Sequence, residues 1–193
     1  MLSGDLRKRI IIQSQATSQD SFGQQVITWS DVLAGETVGS AKSVTAISAG
    51  ALTTLTSAAH GFTDGQLVRL AGIVGAANLN ASFEVTGATV NTFQVRYNST
   101  GLTLTLSTAT AQQVSGVPAS IRPLYAFEKT GGGQASEVHK ITVRYNAALA
   151  NPVAVAAMRV CYLSRILEVT GSINVEERNR ELDLMCTEGL TQG

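Results

Sequence analysis

Hydrophobic and polar positions alternate with a period of two through most of the chain. In HKITVRYN, residues 139–146, His139, Ile141, Val143 and Tyr145 fall on one face and Lys140, Thr142, Arg144 and Asn146 on the other. That spacing predicts a strand with one face buried and one wet. RELDLMC, residues 180–186, sets Leu182, Leu184 and Cys186 against Glu181, Asp183 and Met185. A helix would strand Leu184 on the polar side, so a strand is expected there too, entered through the polar turn NVEERN. RKRIIIQSQAT (7–17) offers a β-branched run, and QQVITWSDV (24–32) alternates Val26, Thr28 and Ser30 with Gln25, Ile27 and Trp29. SFGQQ and TGGGQ punctuate as turn and loop. The one helical candidate is NAALANPVAVAAM, interrupted by Pro152, with a short helix between Val153 and Met158.

The middle of the chain is β as well, in a different alphabet. KSVTAIS, LTTLTSAA, QLVRLAGI, ASFEVTGAT, TFQVRYN and LTLTLSTA are six short apolar, β-branched runs separated by Gly, Asn, Asp and Ser. Their close spacing argues a small barrel or sandwich. From Glu36 to Gly116 the charged residues are only Glu36, Lys42, Asp64, Arg69, Glu84 and Arg96. Both flanks are far richer in charge, so the middle reads as inserted into a domain built from the two ends. Insertions survive at loop tips whose ends lie close together. The expected fold is therefore mainly β, with at most one short helix. A small antiparallel β-barrel (1–38 plus 116–193) carries an inserted second small β-barrel or sandwich (39–115).

Charge and chemistry narrow the function. The 193 residues carry 14 basic and 14 acidic side chains, without the cationic excess that drives phosphate binding. No segment approaches a membrane span or a signal peptide's apolar region, so neither membrane contact nor standard export is expected. Cys161 and Cys186 have no metal-type spacing, and His60 and His139 lie far apart. Both thiols are expected to be reduced, small and buried, and no metal or cofactor is implied. Glu181 and Asp183 would sit about 7 Å apart on one strand face, a separation a glycosidase pair could use. Their neighbours Arg178 and Arg180 point instead to a solvated face exchanging salt bridges. His60, before a Gly turn, is expected to hydrogen-bond its loop, and His139 to be a satisfied core or interface residue. Trp29 and Tyr145 are expected as core or subunit contacts. A carbohydrate-binding adhesion module would need exposed aromatics, but alternation buries most of Phe62, Phe83, Phe93 and Tyr97.

Six blocks at the ends, in order, carry a family resemblance. Gly4, Leu6, Arg7, Arg9 and Ile10 come first, then Asp20, Gly23 and Trp29, then Ala119, Ile121 and Pro123. His139, Ile141, Arg144 and Tyr145 follow, MRVCY lies between, and Asn174, Glu177, Arg178, Arg180, Glu181 and Leu182 close the series. Together they resemble the head–tail joining (head-closure or stopper) proteins of tailed bacteriophages. The middle segment resembles a small β-barrel module first described in ubiquitin-activating enzymes and found in phage structural proteins. Thr56, His60, Gly61, Phe62, Gly65, Val68, Leu70 and Gly72 carry that likeness, with Leu79, Asn80, Phe83, Val85, Asn91, Phe93 and Val95. Gln66 stands where an acidic residue is usual.

The resemblance implies a non-enzymatic virion protein of the phage neck, made in the host bacterial cytoplasm. It would form a homo-oligomeric ring of six or twelve subunits between a portal or adaptor ring and a tail terminator or tail tube protein. That ring retains packaged double-stranded DNA and lets it pass without specific binding, a task suited to a charge-balanced chain. Residues 124–138 would be a loop facing the channel or the adjoining ring, through Leu124, Glu128, Lys129, Gly131, Gly132, Gly133 and Gln134. Arg144, Arg178, Arg180, Glu181 and Asp183 become candidates for subunit contacts. The inserted module is expected on the ring's outside, as decoration, neck reinforcement or a foothold for fibres. A tail-completion or terminator ring is the neighbouring alternative.

Overall fold

The computed structural model describes residues 6–19, 21–127 and 136–188. In chain order the first strands are β1 (Lys8–Gln19), β2 (Gln25–Leu33), β3 (Thr37–Ser43), β4 (Ala46–Ser48), β5 (Thr53–Thr56), β6 (Leu67–Val74) and β7 (Ser82–Thr86). They are followed by β8 (Thr92–Val95), β9 (Thr105–Val114), β10 (Val117–Phe127), β11 (Ser136–Arg144), β12 (Met158–Tyr162), β13 (Arg165–Asn174) and β14 (Glu181–Glu188). One helical turn, α1 (Pro152–Val155), precedes β12. The chain is thus mainly β with antiparallel sheets. It divides into two compact units, Met1–Gln15 with Val117–Gly193, and Ala16–Gly116.

In the first unit the strand order is β10-β11-β14-β13-β12-β1, and β1 also pairs with β10. Lys8–Ile10 lie opposite Val117–Ala119, while Ile11–Ser14 lie opposite Met158–Cys161. Because one strand serves both neighbours, the pairing runs round and returns on itself, leaving no free edge among these six strands. Alternation sets the interior. Ile141 and Val143 on β11, Leu182, Leu184 and Cys186 on β14, and Leu167 and Val169 on β13 are buried. Ile10, Ile11, Ile12 and Gln13 are all buried, so both faces of β1 are covered there.

The helix is shorter than the sequence suggests. Asn151 caps it by accepting from Val153 N at 3.0 Å and Ala154 N at 3.4 Å, and Pro152 occupies the first turn. It stops at Val155, because Met158 is already a strand residue opposite Ser14. One turn gains too few hydrogen bonds to outlast strand pairing that starts three residues later.

The second unit holds the sheet β3-β9-β6-β7-β8-β5-β4. The run KSVTAIS, read as one strand, is split: β3 pairs with β9 and β4 with β5. Between them Val44 N donates to Ala109 O at 2.8 Å and Thr45 N to Thr56 O at 2.8 Å, so this segment joins the two ends of the sheet. Leu55, Val68, Leu70, Leu79, Val85, Phe93 and Val95 fill the core. The ends of the middle segment meet: Ser115 N donates to Glu36 O at 2.8 Å and Gly116 N to Ala34 O at 3.0 Å. Gly35, at φ +79°, allows this approach, since a Cβ there would lie 2.5 Å from Gly116 O.

β2 departs from its alternating pattern. Val26 and Ile27 are both exposed, and the turn after β1 presents Phe22, 94% exposed, beside Gly23 at φ +80°.

Candidate functional site

The outer face of β11 and β14 carries the charged residues the sequence singles out. Asp183 lies directly opposite Thr142, and Arg144 opposite Glu181. Asp183 accepts from Thr142 Oγ1 at 2.6 Å and from Lys140 Nζ at 2.9 Å. Both of its oxygens are thus engaged within the chain. Arg144 is exposed.

Arg178 and Arg180 lie on the turn joining β13 to β14. Both are exposed, and Arg178 pairs with Glu176 at 2.9 Å, with both side chains mostly in solvent. Such a pair contributes little to stability. Glu176 and Glu177 at φ 52°, and Asn179 at φ 53°, occupy the left-handed region. Each costs roughly 1–2 kcal/mol for a residue with a Cβ. Tyr145 N donates to Arg180 O at 2.9 Å, and Asn179 N to Asn174 Oδ1 at 3.3 Å, fixing both sides of this strained, charged turn.

A second cluster was not legible in the motifs. Arg165, at the start of β13, grips Glu188 at the end of β14 through two hydrogen bonds, Nε to Oε1 at 2.8 Å and Nη2 to Oε2. The same Nη2 lies 2.9 Å from His139 Nε2. Glu137 completes the group, 3.3 Å from that nitrogen. A guanidinium can only donate, so in its contact with Arg165 the His139 Nε2 is the acceptor. Nδ1 is buried and has no hydrogen-bond partner; the expected fully satisfied histidine is satisfied on one side only. Glu137, His139 and Glu188 offer ligand atoms within 4.8 Å of one another, the one such group among the described residues. Arg165 is the cation these donors hold. Its hydrogen bond keeps the Glu188 carboxyl below the usual range, and Glu188 in turn raises Arg165. The cluster ties three strands together on opposite charge rather than setting an acid beside a base.

Of the remaining expected residues, Leu124 is 43% exposed on β10. Glu128, Lys129, Gly131, Gly132, Gly133 and Gln134 lie outside the described residues. Burial pushes the Cys186 thiol up to about 12; Cys161, expected to be buried, is only partly so.

In the second unit His60 bonds its own loop as expected: Phe62 N donates to Nδ1 at 2.9 Å, and Nε2 lies 3.2 Å from Thr92 O. The ring packs within 5.0 Å of Phe62 and 5.1 Å of Phe93. Less predictable is how β2 is held. Trp29 N donates to Asn78 Oδ1 at 2.8 Å, and Asn78 Nδ2 to Ile27 O at 3.4 Å. Asp31 accepts from Ser82 N at 3.2 Å, Ser82 Oγ at 2.6 Å and Arg69 Nε at 3.4 Å. Two side chains therefore stand in for a neighbouring strand.

The first unit is thus a returning circuit of antiparallel strands with a charged, ion-paired outer face. Residues 105–189 match the family model described as phage head completion protein. The match runs from β9 to the end of β14 and supports the resemblance to phage head–tail joining proteins. It starts inside the second unit, so the likeness of the middle segment to the ubiquitin-activating-enzyme module rests on its motifs alone. No curated protein matches the chain.

Proposed function

We propose that this protein is a ring-forming component of the phage neck, placed between the portal or adaptor ring and the tail, retaining packaged DNA and docking the tail. The carrying observation is the family match over residues 105–189, which takes in five of the six strands in the first unit's circuit. A six-strand circuit without free edges leaves its side chains, not strand addition, to make the contacts. Arg144, Arg178 and Arg180 are exposed and positioned for them, whereas Asp183 is occupied by Lys140 and Thr142. Heterologous contacts of this kind close into rings when the rotation allows. A tail-completion or terminator ring could share this fold, and the head completion family favours the head side.

The test is genetic. A phage lacking the gene should accumulate heads that lose their DNA alongside free, complete tails, and purified protein should restore joining. Intact DNA-filled heads with defective tails would contradict the assignment. In the complemented phage, Arg180→Glu should cut particle yield at least about tenfold if it makes a buried inter-ring contact; unchanged joining would remove Arg180 from the interface.

A further inference from the structure

A net charge of zero hides how the charges are sorted over the first unit. Ala119, Ile141, Val143, Leu182 and Leu184 are buried, so the residues alternating with them on β10, β11 and β14 lie on the outer side. Strand pairing sets these in rows. Arg122 lies opposite Lys140. Arg9 on β1 lies opposite Pro118, the neighbour of Ala119, whose own partner is Val143. Arg9 and Arg144 therefore fall in one row, on either side of β10. The rows of Lys140 and Arg144 are about 13 Å apart along the strands, and β1 and β11 are about 10 Å apart across them. Arg9, Arg122 and Arg144 are exposed and hold no ion pair among the described residues. The carboxylates on this face are Asp183, occupied by Lys140 and Thr142, and Glu181, opposite Arg144. A chain of balanced charge thus presents a locally basic face.

We propose that this outer face of β1, β10 and β11 binds the phosphate backbone of double-stranded DNA without regard to sequence. For the source of the duplex the inference rests on the neck reading above; the chemistry is the chain's own. Charge selects an anionic partner, and the make-up of the face selects nucleic acid over protein. Protein interfaces keep charge out of their cores and are anchored by aromatic side chains. These rows hold three arginines without ion pairs and no aromatic. Protein–DNA interfaces are more polar and more positive, and arginine meets phosphate through two parallel N–H donors. Contacts to phosphate position the duplex and carry no sequence information. Three arginines release few counterions, which makes the grip weak and sensitive to salt. That suits a duplex that must be held and then let go.

The experiment measures binding of the full-length protein to a short fluorescent duplex of mixed sequence, by anisotropy across a salt series. With three phosphates neutralised per chain, log K falls against log salt with a slope of about −2.7, so affinity drops about 40-fold between about 50 and 200 mM salt. Each of Arg9→Gln, Arg122→Gln and Arg144→Gln should reduce that slope by about 0.9 at unchanged melting temperature, and a second duplex sequence should bind equally well. Arg180→Gln, on the β13–β14 turn, should change nothing. No binding at about 50 mM salt overturns the proposal, as does a triple Gln variant that binds like the wild type. A loss with Arg180→Gln as large as with the others places the duplex elsewhere and overturns it too. Displacement of the duplex by poly-glutamate at equal charge would make the occupant an acidic protein instead. The two readings fail separately. Absent DNA binding removes this face and leaves the neck assignment to the phage experiment above. Binding with these dependences, in a protein whose loss leaves head–tail joining intact, keeps the face and removes the neck role.

Discussion

In the unit made from the chain's two ends, strands are tied by ions: Arg165 to Glu188 and His139, and Lys140 to Asp183. In the inserted unit the same work is done by neutral groups. Thr53 Oγ1 bonds Tyr97 O and Ser99 Oγ, both at 2.8 Å, and Asn80 bonds both the N–H and the carbonyl of Ile73. Its one ion pair among the described residues, Arg69 with Asp31, holds β2. The contrast separates two demands. Neutral hydrogen bonds fix a strand within its own unit, whereas charge kept at a surface is the kind that can steer and select protein partners.

The comparison can be broken most sharply through the cores. Phe93→Ala should cost about 3–5 kcal/mol in the second unit and Leu184→Ala about 2–5 kcal/mol in the first. Trp29, the single tryptophan, lies in the second unit. Its fluorescence in urea should follow the first substitution and ignore the second if the units unfold separately; equal shifts would mean one cooperative block. Next in size, Asp31→Ala removes the acceptor for Ser82 and Arg69 and should cost about 1.5–3 kcal/mol, again read by Trp29. No change would show that β2 is held by its backbone alone.

Acid should separate the units further. Glu188 is held below its ordinary value, so its contribution is present above about pH 4.3 and is lost as pH falls through the lower folded value. Glu137 and His139 face the same guanidinium. Arg165→Met should cost about 1 kcal/mol at neutral pH, given the solvent exposure of the pair, and should flatten the first unit's acid limb. An unchanged pH profile would show that the cluster is not the source of acid sensitivity. Smallest and opposite in sign, Glu177→Gly should raise stability by about 1 kcal/mol by relieving its left-handed backbone. Stability lost instead would mean that the side chain is needed in the turn.

Where a residue's environment follows from its own strand, the sequence pattern foresaw it: Leu182, Leu184 and Cys186 point inward as alternation requires, and His60 bonds within three residues. Where it depends on strands far apart in sequence, the pattern was silent. Arg165 meets Glu188 only because β13 lies against β14, and Asp31 meets Ser82 across residues that carry no shared motif. β2 failed for a related reason. Alternation predicts burial only when something covers one face, and Val26 and Ile27 remain exposed. Of the candidate contact residues, Arg144 and Arg180 stayed on the surface as charge alone would place them. Asp183 did not, because Thr142 happens to be its cross-strand partner.

The central claim is that this chain closes the joint between head and tail. A cryo-EM reconstruction of the phage neck tests it directly. The account predicts a ring built from the β10–β14 and β1 circuit directly below the portal or its adaptor, with Arg180 at a contact between proteins. Finding the chain elsewhere in the particle, or in the neck as isolated single copies, would contradict it.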